Sequence, residues 1–292
     1  MADRTSVGLI GAGKAGVVLA RAFQERGYRV GAVWDPVDAA RRRALDVLGD
    51  TQLPEVPAEV VAHAEVVLLA VPDDVLASVA ADLAAHHADP AGRAAVHVSG
   101  RYGAEVLAPL RARGMVTAAM HPAMALAGDV ETEVRRIDGA RFGVTASAAG
   151  LELAGRLVRD IGGEPVEVPE DGRALYHAAL AHGSNHLVTL VVQAVRMLHL
   201  AGVGDAAAVL GPPLRAALDN ALTHGDAGAT GPVVRGDVGT IREHLTTLGA
   251  AHPAALPAYR AMSLAAADIA FAAGRLARDR HERLRTVLTD PA

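Results

Sequence analysis

Short apolar runs alternate with longer amphipathic stretches through about the first 170 residues of the chain. The runs have the length of buried strands, whereas the stretches between them repeat their apolar positions at helical spacing. Strands are predicted at residues 7–10, 30–34, 65–71, 94–98, 115–120, 141–146 and 164–168. Helices are predicted from Val17 up to Gly27, at 36–48, from Asp73 or Asp74 to about His87, near 103–112 and at 148–161. This alternation predicts a doubly wound, mostly parallel α/β sheet.

The pattern changes near residues 169–172, beyond which no strand is predicted. Residues 173–201 form one long helical stretch that is apolar around most of its circumference, so we expect it to be buried in a domain core or at a subunit interface. A charged tail from Arg278 is expected to fray. Further helices are predicted at 205–224, interrupted by Gly211, Pro212 and Pro213, and at 238–248 and 257–278. The pattern predicts an α/β domain at 1–170 and an all-helical domain at 171–292 that contributes to the substrate site and a homodimer.

The first strand runs into a glycine-rich turn. Gly11, Gly13 and Gly16 have the spacing GxGxxG between a strand and a helix. Gly11 permits a tight turn, Gly13 lets the backbone approach a pyrophosphate, and Gly16 lets the helix pack closely on the strand. The turn predicts a Rossmann-type dinucleotide site, although a structural turn without a ligand is the alternative. The predicted contacts are Gly11, Ala12, Gly13, Lys14, Ala15, Gly16, and Val71 and Pro72 at the end of the third strand.

The residues after the second strand bear on the form of the cofactor. Asp35 ends that strand, and its carboxylate can accept both hydroxyls of an adenosine ribose and would repel a 2′-phosphate. Arg41, Arg42 and Arg43 open the next helix and could clamp that phosphate, or they could form a solvated helix face. The sequence therefore favours NADH and leaves NADPH open.

Candidate catalytic groups share one side of the long helical stretch. At 100° per residue, His177 and Ser184 nearly eclipse, and His182 and Asn185 lie within about 140° of them. Buried polar groups are costly unless they are paired, so we expect this face to line a substrate site. A histidine could supply the proton, and Asn185 could orient a carbonyl. The alternative is an internal hydrogen-bond network that braces the helix.

Two predicted strands end in polar residues. Ser99 follows the fourth strand and His121 the fifth, and the carboxyl ends of strands face the ligand crevice in sheets of this type. Either residue could line the nicotinamide end of the crevice, and Ser99 is a candidate for both cofactor and substrate contacts. His121 could instead be a turn residue fixed by Pro122.

Two further motifs concern ligands. Arg235, in a loop with two glycines and a proline, could hold a substrate carboxylate with its guanidinium fork, or it could pair with an acid such as Asp219. His182 and His186 have the i, i+4 spacing of a helical metal pair, but no acidic third ligand follows at usable spacing. No metal site is predicted.

Composition narrows the classes of function. The chain has no cysteine, which excludes disulfides, thiolate metal sites and a cysteine nucleophile. The net charge is −5, with acids and bases interspersed, so neither nucleic acid nor an anionic membrane is an expected partner. There is no uninterrupted apolar run of about 18 residues, and the N-terminus shows no signal-peptide pattern. A cytoplasmic protein is expected.

Five segments carry a family resemblance: GLIGAGKAG, HVSGRYGAEVLAPL, MHPAMALAG, LYHAALAHGSNHLVTL and TGPVVRGDVGT. They resemble a bacterial two-domain family of Rossmann-like proteins with a conserved helical C-terminal domain. That family is related to ketopantoate reductases, pyrroline-5-carboxylate reductases and β-hydroxyacid dehydrogenases. The resemblance implies NAD(P)H-dependent reduction of a small 2-oxo acid, with ketopantoate as the first candidate.

The resemblance also suggests roles for individual residues. The β-hydroxyacid dehydrogenases carry a helix motif K-x-x-N-N whose lysine donates the proton. Here His182 stands at the lysine, and Asn185 and His186 stand at the two asparagines. The donor could therefore be His182, His177 or His121. Reduction of an imino acid in the same cleft and a non-catalytic NAD(P)-binding regulatory protein remain the alternatives.

Overall fold

The structure, a computed structural model, describes residues 5–86 and 92–290. It divides into two compact units, Met1–Gly183 and Ser184–Ala292, referred to as unit 1 and unit 2. The predicted domain boundary after residue 170 comes before this division. The difference has a physical source, since the helix that begins at Arg173 is tied to unit 1 by hydrogen bonds from that side chain.

Unit 1 contains one seven-stranded sheet with the order β2-β1-β3-β4-β5-β6-β7. All neighbouring strands are parallel except β5 and β6. The predicted strands and the mostly parallel sheet are therefore confirmed. The strands are β1 Ser6–Ile10, β2 Arg29–Trp34, β3 Val66–Leu69, β4 Ala94–His97, β5 Val116–Pro122, β6 Arg141–Ala146 and β7 Glu164–Glu167.

Helices cover both faces of the sheet. One apolar cluster includes side chains of α1, α2 and α7, and a second includes side chains of α3, α4 and α5. Every residue of β1, β3 and β4 is buried, as expected for parallel strands covered on both faces. The helices of unit 1 are α1 Lys14–Glu25, α2 Asp38–Leu48, α3 Pro57–Ala62, α4 Asp73–His86, α5 Ala108–Ala112, α6 Val130–Arg136, α7 Ala148–Asp160 and α8 Arg173–Leu180.

Two of these helices, α3 and α6, are absent from the sequence prediction, and α5 begins with a 3₁₀ turn at Ala104–Leu107. The predicted end of α4 at about His87 lies outside the described residues.

A doubly wound sheet has a switch point where its strand order reverses. Here β1 lies between β2 and β3, so the chain leaves β1 towards one edge and continues from β3 towards the other. The crevice at the carboxyl ends of β1 and β3 is where such sheets bind ligands.

The described part of unit 2 is helical throughout, as predicted. Its apolar core is built from α11, α12, α13 and α14. A π-helical turn at Ala181–Asn185 joins α8 to α9, so the predicted stretch 173–201 is helical but irregular at its middle. The helices are α9 His186–Leu200, α10 Ala206–His224, α11 Pro232–Arg235, α12 Val238–Ala251, α13 Leu256–Ala272 and α14 Arg278–Thr289.

Three expectations for the helical region are wrong. Helix α10 is continuous through Pro212 and Pro213, because the carbonyls that lose their partners belong to exposed residues and can bond water. The tail from Arg278 forms α14, which is held by buried Leu284 and Leu288. Of the two alternatives for the long helical stretch, burial in a domain core is wrong for α9, since none of its residues is buried, whereas a subunit interface stays a prediction. None of the helices within residues 5–86 and 92–290 is long and apolar enough to cross a membrane.

Candidate functional site

The glycine-rich turn follows β1 at the switch point of the sheet. Gly11 has a φ of 98°, and a Cβ on it would lie 2.5 Å from the Ala70 carbonyl oxygen. A Cβ on Gly16 would lie 2.2 Å from the Gly11 carbonyl oxygen, so α1 can pack this closely only with glycine there. By contrast, a Cβ on Gly13 would meet nothing within 4 Å. The turn is therefore tight on its inner side and open at Gly13, where α1 begins.

The other residues predicted to contact the cofactor surround this turn. Ala12 is buried, Lys14 is exposed and Ala15 is half-buried. The ammonium of Lys14 donates to the Ala127 carbonyl at 2.9 Å, which ties the start of α1 to the loop between β5 and α6. On the neighbouring strand, the half-buried Val71 and the exposed Pro72 lie just beyond the end of β3, after Ala70. These residues all lie at the carboxyl ends of β1 and β3.

Asp35 fixes the glycine-rich turn from the end of β2. Its Oδ2 accepts a hydrogen bond from the Ala12 N–H at 2.8 Å, and its Oδ1 accepts one from the Val37 N–H at 2.8 Å. Each carboxylate oxygen keeps a second lone pair. The side chain is thus oriented by the protein and still has acceptor capacity for ribose hydroxyls.

The three arginines of α2 are not equivalent. Arg41 pairs with Asp38 on the same helix, whereas Arg42 and Arg43 are exposed. An exposed pair of this kind contributes little to stability. The arrangement agrees with a solvated helix face and leaves two guanidinium groups accessible to a phosphate.

A buried histidine organises the end of β4. His97 is fully buried, and its Nε2 lies 2.9 Å from the Gly103 carbonyl while its Nδ1 accepts from the Ser99 N–H at 3.1 Å. These partners require a neutral ring protonated on Nε2. The hydroxyl of Ser99 in turn accepts from the N–H groups of Arg101 and Tyr102, each at 3.2 Å. Ser99 therefore shapes the turn after β4.

Three aromatic rings meet at the ends of β4 and β5. The Nδ1 of His121 lies 3.1 Å from the Tyr176 hydroxyl, and the two rings are perpendicular with centroids 5.7 Å apart. The His177 ring stands 5.9 Å from that of His121. Gly100 leaves room for both histidines, because a Cβ there would lie 2.6 Å from Cδ2 of His177 and 2.9 Å from Nε2 of His121. The structure thus brings together two of the predicted catalytic histidines, and His121 is more than a turn residue.

Arg173 lies beneath this cluster at the first residue of α8 and is only 1% exposed. Its guanidinium donates to three carbonyls, those of Tyr102 at 2.9 Å, Gly143 at 3.1 Å and Ser99 at 2.5 Å. None of the salt bridges among the described residues includes it. Carbonyl dipoles thus contact this cation directly, and the charges of Glu170 and Asp73 act on it without forming a salt bridge.

Burial and this cation keep the nearby histidines neutral. Burial lowers the pKa of His97 to about 4 from an ordinary 6.5. Burial also lowers the pKa of His121 to about 4, and the charges of Arg173 and His177 act in the same direction. Burial raises the pKa of Tyr176, against the opposing effect of Arg173. Near neutral pH the cluster therefore contains a neutral imidazole hydrogen-bonded to a neutral phenol.

The predicted residues of the π-helical turn and the start of α9 are exposed. They are His182 in unit 1, and Ser184, Asn185 and His186 in unit 2. The π-helical turn adds a residue to its helical turn, so the 100° spacing that placed these residues on one face with His177 does not hold across it. π-helical turns are frequent at functional sites. No group of three or more potential metal ligands occurs within residues 5–86 and 92–290.

Arg235 ends α11, and its guanidinium is 64% exposed. Its Nε lies 3.0 Å from Oδ2 of Asp237, so its acidic partner is Asp237 and the suggested partner Asp219 is wrong. The Arg235 carbonyl accepts from Arg280 of α14 at 2.7 Å. Thus the position of the loop is fixed, while the guanidinium end is accessible.

The sequence assigned no role to Arg173, and it placed Tyr176 beside the candidate histidines without a role for its hydroxyl group. Arg173 binds carbonyls that are far from it in sequence, so no local pattern could reveal its environment. The one feature of the sequence that could have indicated a special role for Arg173 is its position at the start of an otherwise apolar helix.

Two families match the chain. The Rossmann-like domain family matches residues 1–122, and the family described as a domain of unknown function, DUF2520, matches residues 140–266. No curated protein matches the sequence. The predicted resemblance to a two-domain Rossmann-like family is confirmed.

Solved structures share the fold. A Bacteroides fragilis protein provisionally described as an NADP oxidoreductase has a TM-score of 0.76 at 19% identity, over 91% of this chain and 98% of its own. An imine reductase from Pseudomonas sp. has a TM-score of 0.66 at 16% identity, over 85% of this chain and 88% of its own. The V8 variant of a Myxococcus stipitatus imine reductase, in complex with NAD+, has a TM-score of 0.65 at 17% identity, over 96% of this chain and 99% of its own. The chain thus contains a region that matches the Rossmann-like domain family, followed by a region that matches the DUF2520 family, and it shares its fold with these solved structures.

Proposed function

We propose that the protein is an NAD(P)H-dependent oxidoreductase that reduces a small 2-oxo acid, with ketopantoate as the first candidate. The glycine-rich turn at the switch point carries this proposal. Gly13 is exposed and unobstructed where α1 begins, so the N–H groups of the first turn are accessible to a pyrophosphate. The reduced nicotinamide would supply a hydride to the substrate carbon.

The chain's own groups would supply the proton. His121 and His177 lie together at the carboxyl ends of the strands, where the nicotinamide half of such a cofactor extends. His182 and Asn185 occupy the positions of the related helix motif, and they remain candidates for the donor and for the group that orients the carbonyl. The accessible guanidinium of Arg235 would exchange Asp237 for the substrate carboxylate.

Reduction of a C=N bond in an imino acid is the second candidate. The similarity in fold to two imine reductases favours it. Both reactions need a hydride at carbon and a proton at the neighbouring heteroatom, so the same groups would serve either substrate.

The proposed form of the cofactor is NADH, because the carboxylate of Asp35 is held at the end of β2 and would repel a 2′-phosphate. NADPH would instead require the exposed Arg42 and Arg43 to bind that phosphate. The similar structures described above are named with both forms. The ratio of the KM values for the two cofactors tests the choice, and a much lower KM for NADPH would contradict it.

A two-stage experiment tests the function. The first stage measures NADH and NADPH binding by the fluorescence of the reduced nicotinamide. The second follows the loss of its absorbance with ketopantoate, other 2-oxo acids and cyclic imines. Binding without oxidation of NAD(P)H by any substrate would favour a non-catalytic regulatory protein, and absence of binding would refute both. Retention of the normal rate by His182→Ala would remove that residue as the donor.

Exposed apolar side chains in unit 2 support a homodimer. Exposed apolar surface marks interaction sites when it is contiguous, and a second copy of the chain would cover such side chains. They are Leu187, Val188, Val192 and Leu200 on α9, Val209, Leu218 and Leu222 on α10, and Met262 and Ile269 on α13. Light scattering should show a dimer for the natural chain and for the unit 1 control Val75→Asp, and a monomer for Leu222→Asp. A monomeric natural chain would contradict the proposal.

A further inference from the structure

We propose that Tyr176 and His121 form a proton relay that delivers the proton to the reduced substrate, with Nε2 of His121 as the donor and the Tyr176 hydroxyl as its source. The relay rests on the proposed reductase function and names the acid of that site. His121 would be the catalytic residue, whereas Tyr176 acts through it. Neither the family helix motif nor the predicted face of the long helix includes Tyr176.

The sheet holds the two groups of the relay within hydrogen-bond distance of each other. The Tyr176 hydroxyl lies 3.1 Å from Nδ1 of His121, and the two rings are perpendicular. A Cβ on Gly143 would stand 2.6 Å from the Tyr176 hydroxyl oxygen, so the strand opposite closely confines that group. Since Gly143 is paired with His121 across β5 and β6, the sheet itself positions both partners.

One tautomer of His121 fits the relay. The relay assigns the Tyr176 phenol as the donor to Nδ1, which requires that this nitrogen carries no proton and that the proton of the neutral ring is on Nε2. Nε2 borders Gly100, at the carboxyl end of β4. The donor end of the relay therefore lies at the edge of the sheet that faces the ligand crevice.

Each proton of the relay has a source and a destination. When the substrate carbon takes the hydride, its oxygen or nitrogen takes the proton from Nε2 of His121. Nδ1 then takes the proton of the Tyr176 hydroxyl, so the imidazole stays neutral and changes tautomer. A tyrosinate remains, and water restores its proton after the product leaves.

The protonation state of His121 makes a relay necessary, and Arg173 stabilises the tyrosinate that the relay leaves. With a pKa of about 4, His121 carries no second proton near neutral pH. The Arg173 guanidinium, 5.3 Å from the Tyr176 ring centroid, stabilises the developing tyrosinate. Glu170 and Asp73 act on Arg173 electrostatically, but no salt bridge among the described residues includes it, so the guanidinium can respond to a transient anion on Tyr176. The other charged or titratable groups that act on His121 are His177, His97 and Asp73.

A nuclear magnetic resonance experiment on the whole protein tests the pairing without turnover. In protein labelled with ¹⁵N-histidine, His121 is assigned by the signals lost in His121→Asn. We expect Nε2 to be protonated and Nδ1 to be a hydrogen-bonded acceptor, with Nδ1 shifted in Tyr176→Phe. Tyr259→Phe is a matched control, because its hydroxyl lies 2.7 Å from a different histidine, His244. A proton on Nδ1 of His121, or unchanged signals in Tyr176→Phe, would overturn the relay.

Kinetics test the relay itself. Tyr176→Phe should lower kcat by about 10²-fold, the usual contribution of a positioned acid, with little change in KM or in the dissociation constant for NAD(P)H. The proton inventory in mixed H₂O and D₂O should change from two protons in flight to one. Full turnover by Tyr176→Phe would overturn the relay alone. Failure of the natural chain to bind NAD(P)H would overturn the reductase proposal and the relay with it.

Discussion

The two glycines at positions 13 and 16 give the sharpest prediction, because the structure assigns them different tasks. A methyl group at Gly13 would meet no atom within 4 Å, and φ there is −73°. Gly13→Ala should therefore change the free energy of unfolding by less than about 1 kcal/mol, which includes the weaker N-cap. A methyl group at Gly16 would lie 2.2 Å from the Gly11 carbonyl oxygen. The main chain must then move, at a cost of about 1–3 kcal/mol.

The affinity for NAD(P)H should distinguish the two variants, because only Gly13→Ala should weaken binding without also destabilising the fold. In Gly13→Ala the new methyl occupies the space that a pyrophosphate needs to reach the N–H groups of the first turn of α1. Loss of one charge-assisted hydrogen bond costs about 1.5–3 kcal/mol, so the dissociation constant for NAD(P)H should rise by about 10- to 100-fold. Gly16→Ala should weaken binding too, but only together with a fall in stability.

Two assays measure these effects. Thermal unfolding should show a melting temperature close to that of the natural chain for Gly13→Ala, and a fall of about 2–4 °C per kcal/mol lost for Gly16→Ala. Fluorescence titration gives the dissociation constants for NADH and NADPH. If Gly13→Ala binds both cofactors as tightly as the natural chain does, then the pyrophosphate does not bind at this turn.

Three further predictions concern single residues. Asp35→Ala should lower the free energy of unfolding by about 1–3 kcal/mol, because the buried Ala12 N–H loses its acceptor. The same variant should reduce the preference for NADH over NADPH. An unchanged ratio of the two dissociation constants would show that Asp35 does not select the cofactor. Gly100→Ala should lower kcat while leaving NAD(P)H binding intact, because its methyl would press on His121 and His177; a normal kcat would count against their role. The pKa of His97 is about 4 in the fold against an ordinary 6.5, so the unfolded chain binds more protons between these values and stability should be lost as the pH falls through this window. In His97→Gln that slope, measured by urea unfolding, should decrease by up to about 1.4 kcal/mol per pH unit, and an identical slope would contradict the assignment.

Strands β1, β3 and β4 were predictable because each is a short apolar run, and burial on both faces makes such runs conspicuous, whereas β7 is polar and mostly exposed. The glycine-rich turn was predictable for a related reason, since backbone geometry there admits only small residues. Helices α3 and α6, with six and seven residues, are too short for a periodic pattern. Helix α6 nevertheless carried a local signal, since Asp129 caps it by accepting from the Thr132 N–H at 3.0 Å.

The helical region was harder to predict because local rules compete there with tertiary structure. The π-helical turn at Ala181–Asn185 invalidates a helical-wheel argument that assumed uniform spacing. Helix α14 looks like a charged tail, yet His281 and Arg285 both contact Asp268 of α13 and fix it in place. The surroundings of Arg173 depend on distant parts of the chain, so sequence order could not indicate them.

We propose that a nicotinamide dinucleotide binds along the carboxyl ends of the strands of unit 1. The most direct test is an experimental structure of the protein with bound NAD+ or NADP+. We expect the pyrophosphate against the N–H groups at the start of α1, beside Gly13, and the nicotinamide ring next to His121 and His177. A pyrophosphate bound away from the glycine-rich turn, or a nicotinamide directed away from both histidines, would contradict it.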